Sequence, residues 1–215
     1  MVSYDIHTHH NPEHQDIIAI VSIDATTDIL PSTGYCSVGI HPDRVGEIDL
    51  NSLITIANHS NVVAIGETGL DKLASPLLHR QEELFIRHIE LAEKLRKPLI
   101  IHCVRAWQEL IAIRKRFTGD IPWIIHGFRG KGELAMQLLR FGCYLSFGWH
   151  HNSEAVRAAW EAHRLYVETD VLNISIEDVY QRITSQLSIS REALSQEILE
   201  NIQAWPQPIN NKSLI

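Results

Sequence analysis

Cysteine is scarce in this chain. Cys36, Cys103 and Cys143 are too few and too scattered to frame a set of disulfides, and no CxxC pair offers a structural zinc site. No apolar run in these 215 residues approaches the length of a membrane span, and no stretch of them reads as a secretory signal. A cytoplasmic protein with no membrane partner is the expectation. Positive charge is short as well: 19 Lys and Arg stand against 26 Asp and Glu, for a net charge of −7 with His neutral. That balance argues against a broadly basic nucleic-acid surface, but a nucleic acid held at a local site remains compatible with it. Apolar content of 45% in 215 residues suits one domain with a substantial core, and there is no internal repeat or low-complexity stretch.

Histidine is plentiful, at 13 residues. The chain opens on YDIHTHH, residues 4–10. On a β-strand, residues two apart share a face, so Asp5, His7 and His9 would line one side and both imidazoles could reach one ion. On a helix His7 and His9 would diverge by about 200°. An isolated HxH is weak evidence, so the other histidines have to decide.

Eight short β-branched or aromatic runs recur: residues 2–9, 17–24, 35–42, 61–70, 97–104, 122–128, 143–149 and 165–171. Most lack a polar face, as expected for parallel strands covered on both sides. Helical patterns fall at 76–96, 105–117, 132–141 and 153–164, with two more at 175–187 and 190–204. In the first of these, Leu84, Phe85, Ile89, Ala92 and Leu95 form one stripe. The pattern predicts an α/β fold, a (β/α)8 TIM-type barrel, as a single domain over residues 1–205, followed by an irregular tail over 206–215. The connections 10–16 and 25–34 are too short for crossover helices, so the barrel is expected to be shortened at its first two crossovers. The strand faces left bare would be covered by the C-terminal helices or by a second subunit, which leaves a homo-oligomer open.

Laid side by side, the strands carry a series of metal-competent residues at their C-terminal ends. His7 and His9 end the first strand, His41 the third, Glu67 the fourth, His102 the fifth, His126 the sixth and Asp170 the eighth. Barrel active sites sit at that rim. His10, His150 and His151 read as rim or surface residues, and Cys103, Trp107, Trp123 and Trp160 as packing.

DIHTH at the start, VGIHP (38–42), AIGETGLD (64–71), IIHC (100–103), IIHGFRG (124–130) and VETD (167–170) together resemble the TatD family of metal-dependent deoxyribonucleases, within the amidohydrolase superfamily. The resemblance covers roughly residues 4–203. It implies two divalent ions, zinc, manganese, iron or magnesium, with His7, His9 and Asp170 holding one, His102 and His126 the other, and Glu67 bridging. It further implies that His41 faces the substrate phosphate, that Asp5 orients the first histidines, and that Asp170 takes the proton of a metal-activated water. Asp170, Glu67 and His41 are thus the expected catalytic residues. Two features depart from the family pattern. HCVR puts Arg105 one residue later than the usual HxR, and the first two crossovers are short.

The function implied is a metal-dependent hydrolase, a phosphodiesterase or deoxyribonuclease, acting on DNA or a small phosphodiester or ester. Hydrolysis of a small amide, lactone or ester is the alternative within the superfamily, and a non-catalytic metal-binding relative is another. Arg105, Arg129, Lys72 and Lys131 fall on rim loops and are candidate phosphate contacts, although solvated surface charge is the simpler reading of each.

Overall fold

The computed structural model describes residues 2–26, 29–46, 50–207 and 209. Eight parallel strands run in sequence order around one sheet: β1 (Ser3–Thr8), β2 (Ile17–Asp24), β3 (Tyr35–Gly39), β4 (Val62–Asp71), β5 (Leu99–Val104), β6 (Trp123–Ile125), β7 (Cys143–Phe147) and β8 (Leu165–Val167). Hydrogen bonds at the rim draw β8 back to β1. Asp170 N–H donates to the His7 carbonyl at 3.0 Å, and His9 N–H donates to the Asp170 carbonyl at 3.1 Å. The expected (β/α)8 TIM-type barrel is therefore present, with its seam made by the backbone of three candidate site residues.

Helices α1 (Leu50–Ala57), α2 (Leu78–Leu95), α3 (Trp107–Arg114), α4 (Gly132–Arg140), α5 (Ser153–Glu161), α6 (Ile176–Leu187) and α7 (Arg191–Gln203) follow, with a 3₁₀ turn at Pro42–Arg44. Short polar side chains start three of them. Asn152, Ser175 and Ser190 each accept a backbone N–H of the first turn of α5, α6 and α7. On α2 the buried face includes Phe85, Ile89 and Ala92, as the stripe predicts, while Leu84 and Leu95 are only partly buried. The same face buries Gln81 and His88, which apolar periodicity cannot anticipate. Helix α1 was not expected. It is short, but Leu53 and Ala57 lie one turn apart and both are buried, and Lys97 Nζ donates to the Ala57 carbonyl at 2.6 Å.

The first two crossovers contain no helix among the described residues, and the second includes positions outside them. The C-terminal helices cover β1: the Tyr180 hydroxyl accepts Tyr4 N–H at 3.0 Å, and Ser195 Oγ donates to the Val2 carbonyl at 2.8 Å. They do not cover all of β2, where Ile17, Ala19 and Val21 line a groove of about 760 Å³ with Pro12, Pro31 and Tyr35. The expected tail over 206–215 falls almost wholly outside the described residues.

Candidate metal centre

The expected site residues converge on one carboxylate. Glu67 Oε1 lies 2.8 Å from His102 Nδ1, 2.8 Å from His126 Nε2 and 3.4 Å from His41 Nε2. Its other oxygen, Oε2, lies 3.5 Å from His7 Nε2 and 3.6 Å from His9 Nε2. Asp170 Oδ1 closes the second group, 3.6 Å from His7 Nε2 and 3.8 Å from His9 Nε2. All seven sequence-predicted residues are thus brought together, and Glu67 stands between two clusters. His41 joins the Glu67–His102 cluster, closer in than a residue facing only substrate.

Local irregularities in the strands aim these side chains. Between Asp5 and Thr8, three residues of β1 oppose two of β2, and between Ile65 and Thr68 β4 slips likewise against β5. Such bulges redirect side chains. Glu67 accordingly does not end its strand, as the sequence suggested; it lies within β4, at the bulge. The glycines of GETG permit this. Gly66 and Gly69 have φ of 143° and 144°, and a Cβ there would collide with the carbonyl oxygens of Ile100 and His102. His41, His126 and Asp170 lie one to three residues beyond their strands, and Asp170 has φ of 56°.

The first bulge also corrects the reading of Asp5. Asp5 and Thr8 both line a small cavity of about 60 Å³, whereas His9 lines a separate one of about 440 Å³ over the cluster and His7 faces Glu67. The Asp5 carboxylate accepts Thr169 N–H at 3.1 Å and the Thr169 hydroxyl at 2.6 Å. It therefore steadies the segment before Asp170 rather than the histidines. Burial pushes its pKa up to about 7, against the bonds from Thr169.

A cation fits the main site. His7 is fully buried with neither ring nitrogen hydrogen-bonded, an arrangement proteins avoid unless something else supplies the partner. Its Nε2 faces two carboxylates at distances too long for good hydrogen bonds. Burial and the charge of His126 push the His7 imidazolium down, yet the Asp170 and Glu67 carboxylates outweigh them and hold its pKa at about 9. Glu67 shows the converse. Burial raises its carboxyl, but the His126 charge and the bonds from His102, His126 and His41 hold it well below the usual range. Asp170 is likewise held low: burial raises it, and His7 and His126 overcome that. Imidazole and carboxylate donors in this density are a donor set for a divalent metal ion.

A family model described as TatD related DNase matches residues 19–205. This chain belongs to that family. YcfH of Escherichia coli K12, an uncharacterized metal-dependent hydrolase, is 38% identical over 143 residues, which is 62% of this chain and 54% of YcfH. The chain spans about half the length of the curated relatives it matches first. The 3'-5' ssDNA/RNA exonuclease TatD of Pantoea ananatis is 30% identical over 185 residues, 80% of this chain and 70% of that protein. Among solved structures, the TatD homolog YjjV of Escherichia coli K12 superposes with a TM-score of 0.74 at 19% identity, covering 94% of this chain and 96% of that one, a likeness of fold.

Around the TatD cluster stand supporting residues, among them Asp71, Glu168 and His88, to which the sequence reading gave no role. Asp71 Oδ2 is 3.3 Å from His102 Nε2, the nitrogen away from Glu67, and Gln81 anchors the Asp71 backbone through its N–H and its carbonyl at 2.7 and 2.9 Å. Glu168, fully buried, accepts Gly127 N–H at 2.5 Å and lies 3.6 Å from His126 Nδ1. Each carboxylate thus faces the far nitrogen of a candidate ligand, as partners that fix a tautomer do. Both were within quoted motifs, GETGLD and VETD, and that motif position was the available signal. His88 carries no such motif. Its Nε2 accepts Ile40 N–H at 3.1 Å and its Nδ1 donates to the Leu84 carbonyl at 2.9 Å, which ties the residue before His41 to α2.

The basic candidates fare differently. Lys72 pairs with Glu109 at 2.7 Å, and neither it nor Arg105, Arg129 or Lys131 is among the described residues lining the cavity of about 440 Å³ over the cluster. Arg44 is, beside His9, Asp24, His41, Asp43 and Asp170. No described helix is long and apolar enough to cross a membrane.

Proposed function

We propose that this chain is a metal-dependent hydrolase that cleaves phosphodiester bonds of single-stranded nucleic acid. The observation carrying the proposal is the Glu67 carboxylate, one oxygen turned to His102, His126 and His41 and the other to His7 and His9. The name of the Pantoea relative, a 3'-5' ssDNA/RNA exonuclease, supports the choice of polymer.

Two divalent ions would suit this arrangement: His7, His9 and Asp170 would hold one, His102 and His126 the other, and the Glu67 carboxylate between them would serve both. The nitrogen-rich donors favour zinc, manganese or iron over magnesium. When bound, such ions supply Lewis acidity toward phosphoryl oxygens and acidify a nearby water. The protein does the rest. Asp170, ionised and half-buried at the rim, is the group that accepts the water's proton. His41, whose Nδ1 is held by Asp43 Oδ1 at 2.6 Å, has Nε2 3.4 Å from Glu67 Oε1 beside the cavity, where its N–H would donate to a phosphate drawn up to the cluster. Asp71 and Glu168 keep His102 and His126 turned inward. The three buried, unpaired thiols suit a reducing compartment such as the cytoplasm.

The test is hydrolysis of single-stranded DNA, double-stranded DNA and bis-p-nitrophenyl phosphate by protein reconstituted with Zn²⁺, Mn²⁺ or Mg²⁺. Turnover of the single strand with Mn²⁺ or Zn²⁺ is the expected outcome. Cleavage of small amides or lactones with no phosphodiester turnover would replace this reading by the other branch of the superfamily.

A further inference from the structure

The cavity is larger than one phosphate at the metal cluster requires, and its wall is uneven in charge. Carboxylates of Asp24, Asp43, Glu67 and Asp170 line it, and among the described lining residues Arg44 is the one arginine or lysine. Its position follows from the HPDR turn. Arg44 N–H donates to the His41 carbonyl at 2.9 Å, closing a turn that keeps the two Cα atoms within about 7 Å of each other. His41 reaches Glu67 from one end of that turn, and Arg44 lies against Asp24 at the end of β2, Nε to Oδ2 at 3.6 Å, from the other. Strand β2 contributes none of the candidate ligands, so Arg44 is offset from the metal cluster yet shares its cavity.

From this placement we infer that Arg44 forms a second anion subsite, which takes the phosphate flanking the scissile one in a single-stranded substrate. The inference rests on the nuclease reading above and goes beyond it by naming what distinguishes an oligonucleotide from an isolated diester. A phosphate at the metal cluster would accept from His41, with bound ions supplying the remaining positive charge. The next phosphate along the chain meets a fixed guanidinium whose fork matches its oxygens. Where it pairs with Asp24 the Arg44 side chain is partly exposed, so a substrate phosphate can reach it.

The experiment uses the Mn²⁺-loaded full chain with two probes: a fluorescein-labelled tetranucleotide, and a dinucleoside monophosphate that has no flanking phosphate. Binding is followed by anisotropy and competition from 50 to 300 mM KCl, hydrolysis by chromatography, and metal content by elemental analysis. Arg44→Gln should weaken tetranucleotide binding about 10-fold at the lowest salt and flatten its log–log salt slope by about 0.7, the share of one phosphate contact on a single strand. Its loss on the dinucleoside monophosphate should be at least several-fold smaller. Arg44→Lys, a point charge at the same place, should restore the slope. Equal losses on both probes, an unchanged slope or depleted metal would overturn the subsite. Binding of the tetranucleotide without cleavage of either probe would sink the nuclease reading while leaving the binding comparison decisive. No binding by the unaltered protein would sink both.

Discussion

His88 offers the sharpest test of how the fold holds the site. Its imidazole is fully buried on α2, and burial depresses its pKa to about 4, against the small opposing effect of the Leu84 bond. The hydrogen bonds fix the neutral tautomer, with the proton on Nδ1 toward Leu84 and the Nε2 lone pair toward Ile40 N–H. Protonating Nε2 would set donor against donor and release the residue next to His41. In the unfolded chain a histidine titrates near 6.5. A folded pKa below the unfolded one means that the unfolded state binds protons first. The His88 contribution is therefore complete above pH 6.5, falls as pH drops through the interval, and is fully lost below about 4. Two and a half pH units at about 1.4 kcal/mol each give a total loss of about 3.5 kcal/mol, of which about 3 kcal/mol is reached by pH 4.

Other groups titrate in the same range, so the measurement is a difference. Urea unfolding from pH 7.5 to 4 should be compared for the unaltered chain and His88→Gln, which cannot charge and whose amide oxygen can still accept from Ile40. The variant should be the less stable at pH 7.5, and the two curves should converge by about 3 kcal/mol as pH falls to 4. Titration of the His88 ring resonances should place its midpoint near 4. A constant difference across the range, or a midpoint near 6.5, would refute the argument that His88 is locked neutral.

Asp170→Asn keeps shape and one oxygen but loses the charge and the base; phosphodiester turnover should fall on the order of 10²–10⁴-fold. Partial metal content held by His7, His9 and Glu67, with some rescue at higher pH, should accompany that loss, and near-normal turnover at neutral pH would exclude Asp170 as the base. Glu67→Gln should deplete both ions, whereas His41→Ala should leave more metal bound while lowering turnover. Equal metal loss in those two variants, by elemental analysis, would void this division of roles. Glu168→Gln should weaken metal affinity or activity roughly 10–100-fold through His126, and competition with a chromophoric chelator would reveal an unaffected site.

The parts of the fold legible in sequence were those with strong local signals. Strand positions followed from β-branched runs, and the long helices from apolar stripes such as Phe85, Ile89 and Ala92. Helix α1 was missed because it is only eight residues long and, among its described side chains, Leu53 and Ala57 alone are fully buried. The site was legible because its residues fall where strands end, and convergence at one rim follows from barrel geometry. What strand periodicity could not give was the aim of each side chain. Alternation put Asp5 beside His7 and His9, but the bulge after Asp5 turned it to Thr169. Glu67 points inward from the middle of a strand because β4 slips against β5 at glycines. Arg44 was overlooked for a related reason: a turn, rather than a strand, carries it into the cavity, and nothing in HPDR distinguishes it from any exposed arginine.

The seam of the barrel explains why short early crossovers are compatible with an intact cluster. Candidate ligands come from β1, from within β4, from β5, and from just past β6 and β8, and β2 supplies none. A helix missing beside β2 therefore removes cover without removing a ligand. The junction of β8 with β1 is held at the rim by His7, His9 and Asp170 through their own backbone groups, and these three also form one of the metal-competent groups among the described residues. Closing the barrel and assembling that cluster are the same local event. The remaining variable is the wall over β2, where Asp24 and Arg44 face the cavity. Differences in what these barrels accept should then arise at that wall, while the chemistry at Glu67 stays fixed by strands that do not depend on it.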